Sequence, residues 1–143
     1  MNYKSIFSTL FMLLFISVYA MAQSPVGVWK TIDDNTGEAK SHIEIFEKDG
    51  KLYGKIVKLL RKPADTLCES CTGNKKNKPL MNMIILSDLE PYKDYWSYGK
   101  IMDPESGKEY KSNVSMDGND KLNVRGYVGF AALGRTQTWE RVK

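Results

Sequence analysis

A tight hairpin is the sequence feature that most constrains how this chain can fold. Asp49-Gly50 separates two segments in which polar and apolar residues alternate, Ala39–Lys48 and Lys51–Leu60. This dipeptide is typical of the type I′ turn, because both central residues of that turn take positive φ. The two segments are therefore predicted to pair as antiparallel strands joined by a two-residue loop.

The loop length also fixes which residues face each other across the hairpin. The predicted pairs are Lys48 with Lys51, Phe46 with Tyr53, Glu44 with Lys55, Ile45 with Gly54 and Ile43 with Ile56. A slip by one residue would mix polar and apolar side chains on both faces. We therefore expect Ile43, Ile45 and Ile56 to point inward and His42 to lie on the outer face.

The rest of the chain repeats the pattern of strand, turn and strand, without a sustained helical period. Ser87–Tyr92 is left open between a turn and a short helix. About eight strands with mostly short connections indicate an all-β fold, either an antiparallel up-and-down barrel or a β-sandwich. Besides the hairpin, strands are predicted at Gly27–Asp33, Met81–Leu86, Tyr95–Asp103, Lys108–Met116, Lys121–Gly129 and Gly134–Val142.

The start of the chain has the three-part pattern of a signal peptide. Lys4 precedes a mostly apolar run, Ile6–Tyr19, and Ala20-Met21-Ala22 matches a signal-peptidase site. The run is shorter than the roughly 20 residues of a membrane span, and no later run would span a bilayer. We expect residues 1–22 to be removed, leaving a single domain over residues 23–143 in the periplasm or outside the cell.

Charge and motif content limit the classes of partner. The chain has 21 Lys+Arg against 17 Asp+Glu, a net charge of +4, which is too mild and too interspersed for a nucleic-acid partner. It contains no Gly-x-Gly-x-x-Gly or Walker loop. No nucleophile, base and orienting residue are grouped as catalysis requires. The sequence therefore predicts a protein that is not an enzyme and has no cofactor, and it leaves the oligomeric state open.

Both cysteines lie in the long irregular segment Arg61–Pro79. An exported chain meets an oxidising compartment, so Cys68 and Cys71 are predicted to form a disulfide. A thiol–disulfide redox pair is the first alternative, but such a motif usually begins a helix and none is predicted after Cys71. A metal site is the second, but structural zinc takes four ligands, and the chain adds only one histidine to its two cysteines.

The first predicted strand opens with Gly27-Val28-Trp29. This resembles the Gly-x-Trp signature of lipocalins, in which the Trp packs at the closed end of the barrel against an Arg from the last strand. Arg141 or Arg135 would supply that guanidinium here, by stacking on the indole within about 6 Å. The resemblance favours a lipocalin-like barrel over a sandwich.

Further segments, in matching order, resemble the bacterial family known as domain of unknown function 2147. Asn82 stands where we would expect a glycine, and Asn tolerates positive φ better than most residues. The resemblance implies an exported, lipocalin-like envelope protein and implies no activity. The matching segments include Gly50-Lys51-Leu52-Tyr53-Gly54, Cys68 and Cys71 with Gly73, Asp103-Pro104 with Gly107-Lys108, Val124-Arg125-Gly126-Tyr127 and Gly134-Arg135-Thr136-Gln137-Thr138-Trp139.

An eight-stranded barrel is just wide enough to be filled by side chains or to hold one small ligand. We expect a binding module for a small apolar or amphipathic molecule in the barrel. An inward Arg would bind a carboxylate or phosphate head group, whereas an Arg stacked on Trp29 would be structural. The candidate ligand-binding residues are Trp29, Tyr53, Trp96, Tyr110, Arg125, Tyr127, Arg135 and Trp139.

Two other functions stay open. One is a filled barrel that recognises another envelope protein through its loops. The other is a redox protein acting through Cys68 and Cys71.

Overall fold

Eight antiparallel strands close into an up-and-down barrel in the computed structural model, which describes residues 23–143. The first and last strands are neighbours, with Trp29 opposite Arg141 and Lys30 opposite Glu140. The predicted barrel is confirmed and the alternative of a β-sandwich is wrong. The strands are β1 Gly27–Ile32, β2 Ala39–Lys48, β3 Lys51–Leu59, β4 Ile84–Tyr92, β5 Tyr95–Met102, β6 Glu109–Asp117, β7 Lys121–Tyr127 and β8 Arg135–Arg141.

The predicted signal peptide, residues 1–22, lies outside the described residues. Over residues 23–143, no helix has the length and apolar character needed to cross a membrane.

The hairpin of β2 and β3 has the register that the sequence predicts. Every predicted pair from Lys48–Lys51 to Ile43–Ile56 is present, and Asp49 and Gly50 both take positive φ. Phe46 stacks on Tyr53 with ring centroids 5.8 Å apart, and Glu44 lies 3.6 Å from Lys55. The turn and the alternation of side chains both favour this register, so short-range sequence signals are enough to predict it.

Strand β4 differs from its prediction. It begins at Ile84, three residues later than Met81, and it includes Ser87–Tyr92, which the sequence left undecided between a turn and a helix. Asp88 has φ 58°, and Leu86 and Leu89, three residues apart, are both buried. A β-bulge of this kind breaks the period of two that identifies a strand in a sequence. Asn82 takes φ 66°, as expected where it replaces glycine.

The two ends of the barrel differ because their connections differ. At the closed end, short turns join β2 to β3, β4 to β5 and β6 to β7. At the open end the connections are longer and cover residues 33–38, 60–83, 103–108 and 128–134. Apolar side chains that are at most 4% exposed fill the closed half, among them Trp29, Ile45, Leu52, Leu89 and Leu122.

Arg141 closes the barrel over Trp29. Its guanidinium carbon lies 4.2 Å from the centroid of the indole ring, and the guanidinium donates hydrogen bonds to the carbonyl oxygens of Ser24, Val26 and Asn119. A Cβ on Gly27 would lie 2.6 Å from Nη1 of Arg141. The predicted stacking of an Arg on Trp29 is therefore confirmed for Arg141, and the glycine of the motif leaves room for it.

Replacing Trp29 by Ala should lower the free energy of unfolding by about 3–5 kcal/mol, because the indole is fully buried. Thermal and urea denaturation measure the loss. The matched control is Tyr98→Ala, since Tyr98 is 65% exposed and its loss should change stability little. A Trp29→Ala protein that melts like the wild type would contradict the role of this contact in closing the barrel.

Ser112 supplies a second stability test. Its hydroxyl is fully buried on the inner face of β6 and has no hydrogen-bond partner among the described residues. Removing an unpaired buried hydroxyl should raise the free energy of unfolding of Ser112→Ala by about 1 kcal/mol or more. Ser97 is the control: it is also buried, but its Oγ bonds Asn113 Oδ1 at 2.7 Å, so Ser97→Ala should be destabilised. Equal losses in both variants would show that Ser112 is paired in solution.

Candidate functional site

A cavity of about 310 Å³ occupies the open half of the barrel. This volume is near the lower limit for a site that holds a small molecule. Apolar side chains form its floor and walls: Ile56, Ile85, Ile101, Val124 and Trp139. Polar side chains complete the lining: Thr31, Ser41, Tyr110 and Gln137 are uncharged, and the charged Lys40, Asp103 and Arg135 come from the open end.

Strand β8 shows why the lining changes from apolar to polar. Its inward side chains are Trp139, Gln137 and Arg135, at every second residue, and they lie opposite Leu122, Val124 and Gly126 of β7. Trp139 is 1% exposed, whereas the Arg135 side chain is 69% exposed. Because Gly126 has no side chain, the space opposite Arg135 stays open. A molecule in the cavity would meet apolar surface at depth and a cation near the solvent.

A chain of hydrogen bonds runs up the same strand to the rim. The Trp139 indole donates to Gln137 Oε1 at 3.3 Å, and Gln137 Nε2 donates to Asp34 Oδ2 at 3.2 Å. The same carboxylate forms an ion pair with Arg135. Asp34 therefore joins the connection between β1 and β2 to the last strand.

The neighbouring carboxylate fixes the other side of this connection. Asp33 accepts the backbone N–H of Asn35 at 2.8 Å and the guanidinium of Arg61 at 2.9 Å. The pKa of Asp33 is held below its ordinary value, mainly by the hydrogen bond from the Asn35 N–H and further by the Arg61 guanidinium. The connection over residues 33–38 is thus tied to β8 through Asp34 and to the end of β3 through Asp33.

Both cations at the rim have a carboxylate partner from a connection. Lys40 Nζ lies 2.8 Å from Glu105, and Arg135 pairs with Asp34. These side chains are between 30% and 69% exposed. An exposed ion pair contributes about 0–1 kcal/mol, so either carboxylate is exchangeable for another anion at small cost.

The cysteines shape the wall of the cavity. Cys68 and Cys71 form the predicted disulfide, and they are 1% and 2% exposed. Cys71 Sγ lies 3.8 Å from Met102 Sδ, and a Cβ on Gly107 would lie 1.9 Å from the Ser70 carbonyl oxygen. The long connection therefore packs tightly on the turn between β5 and β6, which supplies Asp103 and Pro104 to the cavity.

The structure brings three of the eight candidate ligand-binding residues to the cavity, namely Tyr110, Arg135 and Trp139. Trp29 and Trp96 lie nearer the closed end. Trp29 packs under Arg141, and Trp96 is half-buried opposite Val114, whose side chain is part of the core.

Tyr53, Arg125 and Tyr127 lie on the outer face, which corrects their predicted place in the cavity. Alternation along each strand turns them away from the interior. Tyr53 stacks on Phe46 and donates to Asp88 at 3.0 Å. Arg125 donates to Ala131 O and Thr136 Oγ1. The hairpin register already placed Tyr53 opposite Phe46 on the outer face, so the sequence held the signal for that residue.

Several lining residues were absent from the prediction. Gln137 was detectable, because it lies between the two inward candidates Arg135 and Trp139. Asp103 precedes Pro104, a context that is typical of a turn residue. Asp103 does bond the turn, accepting the Glu105 N–H at 2.9 Å, and it also lines the cavity. Other lining residues that the prediction omitted are Thr31, Lys40, Ser41, Ile56, Ile85, Ile101, Met102, Pro104, Val124 and Gly126.

His42 lies outside the cavity, on the outer face as predicted. Its cross-strand neighbours are Lys30 on β1 and Lys58 on β3. Burial, followed by the charges of Lys58 and Lys30, lowers the pKa of His42 below its ordinary value.

Known proteins resemble this chain over most of its length, in sequence and in fold. The profile of the family described as "Uncharacterized protein conserved in bacteria (DUF2147)" matches residues 27–141. A solved structure from the human pathogen Helicobacter pylori, whose protein is described as belonging to the lipocalin family, has a similar fold. Its TM-score is 0.74 at 24% sequence identity, with 84% of each chain covered. No curated protein sequence matches this chain.

Proposed function

This chain belongs to the DUF2147 family of uncharacterized bacterial proteins, and we propose that it binds a small amphipathic molecule with an acidic head group in the open half of its barrel. The observation that carries the proposal is the grading of the cavity from Trp139 at depth to Arg135 at the rim. We further propose a binding role and not a catalytic one. On its N-terminal sequence, we propose export with removal of residues 1–22.

The floor of the cavity suits the apolar part of such a molecule. Polar groups near it already have partners: Thr31 Oγ1 bonds Ser41 Oγ at 2.8 Å, and the Trp139 N–H is taken by Gln137. What remains at depth is apolar surface, and covering it yields about 25 cal/mol per Å² removed from water.

The rim suits the head group through an exchange of anions. The Asp34 carboxylate forms an ion pair with the Arg135 guanidinium in this structure. A ligand carboxylate or phosphate would replace Asp34 there, because a guanidinium presents paired donors to either anion. The exchange costs little, since the Arg135 and Asp34 side chains are 69% and 32% exposed.

The other two functions draw less support. Side chains fill only the closed half of the barrel, so the open half does not match a filled module. The Cys68–Cys71 disulfide is almost fully buried and is followed only by a single-turn helix over Gly73–Lys75. Neither feature suits thiol–disulfide exchange, which needs an accessible sulfur.

Occupation of the cavity is testable with two probes that share one apolar chain, decanoate and decanol. We expect isothermal titration calorimetry to show binding of both to the wild type. Gly126→Val should weaken the binding of both probes at least tenfold, because the new side chain enters the cavity. The barrel should accept the substitution, because a Cβ at Gly126 would lie 3.4 Å or more from its neighbours.

Thr138→Val is the matched control for this substitution. Thr138 is exposed and bonds Asn123 on β7, so both affinities should be unchanged. Thermal melting confirms that each variant is folded. Binding of both probes by Gly126→Val with wild-type affinity would place them outside the cavity, and absence of binding to the wild type would contradict the proposed function.

The exchange of anions predicts opposite effects for two substitutions. Arg135→Gln should lower the affinity for decanoate by up to about fivefold, the equivalent of an exposed ion pair of about 1 kcal/mol. Asp34→Asn should raise it by a similar factor, because the competing carboxylate is gone. Decanol affinity should be unchanged in both, and added salt should shrink both effects. If Asp34→Asn binds decanoate no better than the wild type, Asp34 does not compete for the site.

A further inference from the structure

The connection between β7 and β8 presents apolar side chains to solvent. The last two residues of β7 and the connection, residues 126–134, read Gly-Tyr-Val-Gly-Phe-Ala-Ala-Leu-Gly and contain no charge. Val128, Phe130 and Leu133 are 71%, 78% and 78% exposed, more than any other large hydrophobic residue that the structure describes as exposed. One exposed apolar residue needs no explanation, but three within six residues form a patch of the kind that marks a contact surface.

A hydrogen-bonded frame holds this patch outward. Arg125 Nε donates to the Ala131 carbonyl oxygen, which also accepts the Gly134 N–H at 3.2 Å. The Leu133 N–H donates to Phe130 O at 3.0 Å. A Cβ on Gly134 would lie 2.6 Å from the Gly126 carbonyl oxygen, so the connection returns close to the strand. The exposed side chains extend from a defined turn.

Cations border the patch. Arg125 and Arg135 stand on either side of the uncharged stretch in the sequence. Arg125 is hydrogen-bonded to Ala131 O and Thr136 Oγ1, and Arg135 forms an ion pair with Asp34. Across the same open end, the long connection carries Lys76 and Lys78 together with Leu67, which is 45% exposed. Exposed apolar side chains with cations beside them match a lipid surface, where the apolar groups enter the acyl boundary and the cations meet phosphates.

We propose that the connection over residues 128–134 docks the protein on an anionic lipid surface, with Phe130 and Leu133 entering the bilayer boundary. A second protein copy fits less well, because a stable protein interface uses about 20–30 residues on each side. Gly126 near the end of β7 and Arg135 at the start of β8 lie beside this connection and line the cavity. If the proposed ligand function holds, docking places the cavity mouth at the surface where amphipathic molecules reside.

Vesicle flotation of the chain beginning at Gln23, which contains the whole barrel, tests the docking. Vesicles of phosphatidylglycerol and phosphatidylethanolamine should carry the wild type, and vesicles of phosphatidylcholine alone should carry less. The double variant Phe130→Ser, Leu133→Ser should partition at least tenfold less. Tyr98→Ser, which removes an aromatic residue of β5 that is 65% exposed, should partition like the wild type.

Depth of insertion has its own readout. Phe130→Trp places an indole in the patch, and its emission should shift to shorter wavelength on anionic vesicles and be quenched by brominated lipid. Wild-type protein that does not float, or a double variant that floats equally, overturns the proposal. So does a concentration-dependent dimer that the double variant loses while vesicles bind neither protein.

The two proposals fail separately. Binding of decanoate in solution without flotation overturns only the docking surface. Flotation without decanoate binding overturns only the ligand function. The double serine variant should bind decanoate in solution as the wild type does, since Phe130 and Leu133 do not line the cavity.

Discussion

Pairing between the first and last strands is the interaction on which the rest of the barrel depends. Two residue pairs join β1 to β8 among the described residues, Trp29 with Arg141 and Lys30 with Glu140, and the Val142 N–H donates to Val28 O beside them at 2.9 Å. Arg141 strengthens this short seam by stacking on Trp29 and by bonding three backbone carbonyls from both sides of it. Without closure, β1 and β8 would be exposed edges, and the interior of the sheet would be open to solvent between them.

Closure at one end decides where a ligand site is possible. Short turns and the buried side chains around Trp29 fill the closed end. The cavity therefore lies at the other end, where the connections are long. There the disulfide-linked connection supports the turn after β5, and the connection after β1 reaches β8 through Asp34. The same end carries the apolar connection after β7. The cavity, the ion pair of Arg135 with Asp34 and the apolar patch thus lie at the same end of the barrel, because the long connections are there.

Prediction from sequence succeeded where local signals agreed. The Asp49-Gly50 turn and the alternating isoleucines gave the register of β2 and β3, and the Gly27-x-Trp29 motif gave closure by an Arg of the last strand. Prediction failed at β4, because the bulge at Asp88 breaks the alternation that identifies strands. It also failed for Arg125 and Tyr127, whose outward direction follows from the inward positions of Val124 and Gly126.

By itself, the sequence determined most of the strands, the hairpin register and the Cys68–Cys71 pairing, and the resemblance at Gly27-Val28-Trp29 favoured a barrel over a sandwich. The strands, the register and the disulfide depend on turn chemistry, on a period of two or on residues that are close together in the chain. Only the tertiary structure decided which half of the interior stays open, that Arg135 rather than Arg141 lies at its rim, and that Asp34 meets Arg135 from 101 residues away. These features depend on how eight strands and their connections pack against one another, and no local pattern in the chain encodes that packing.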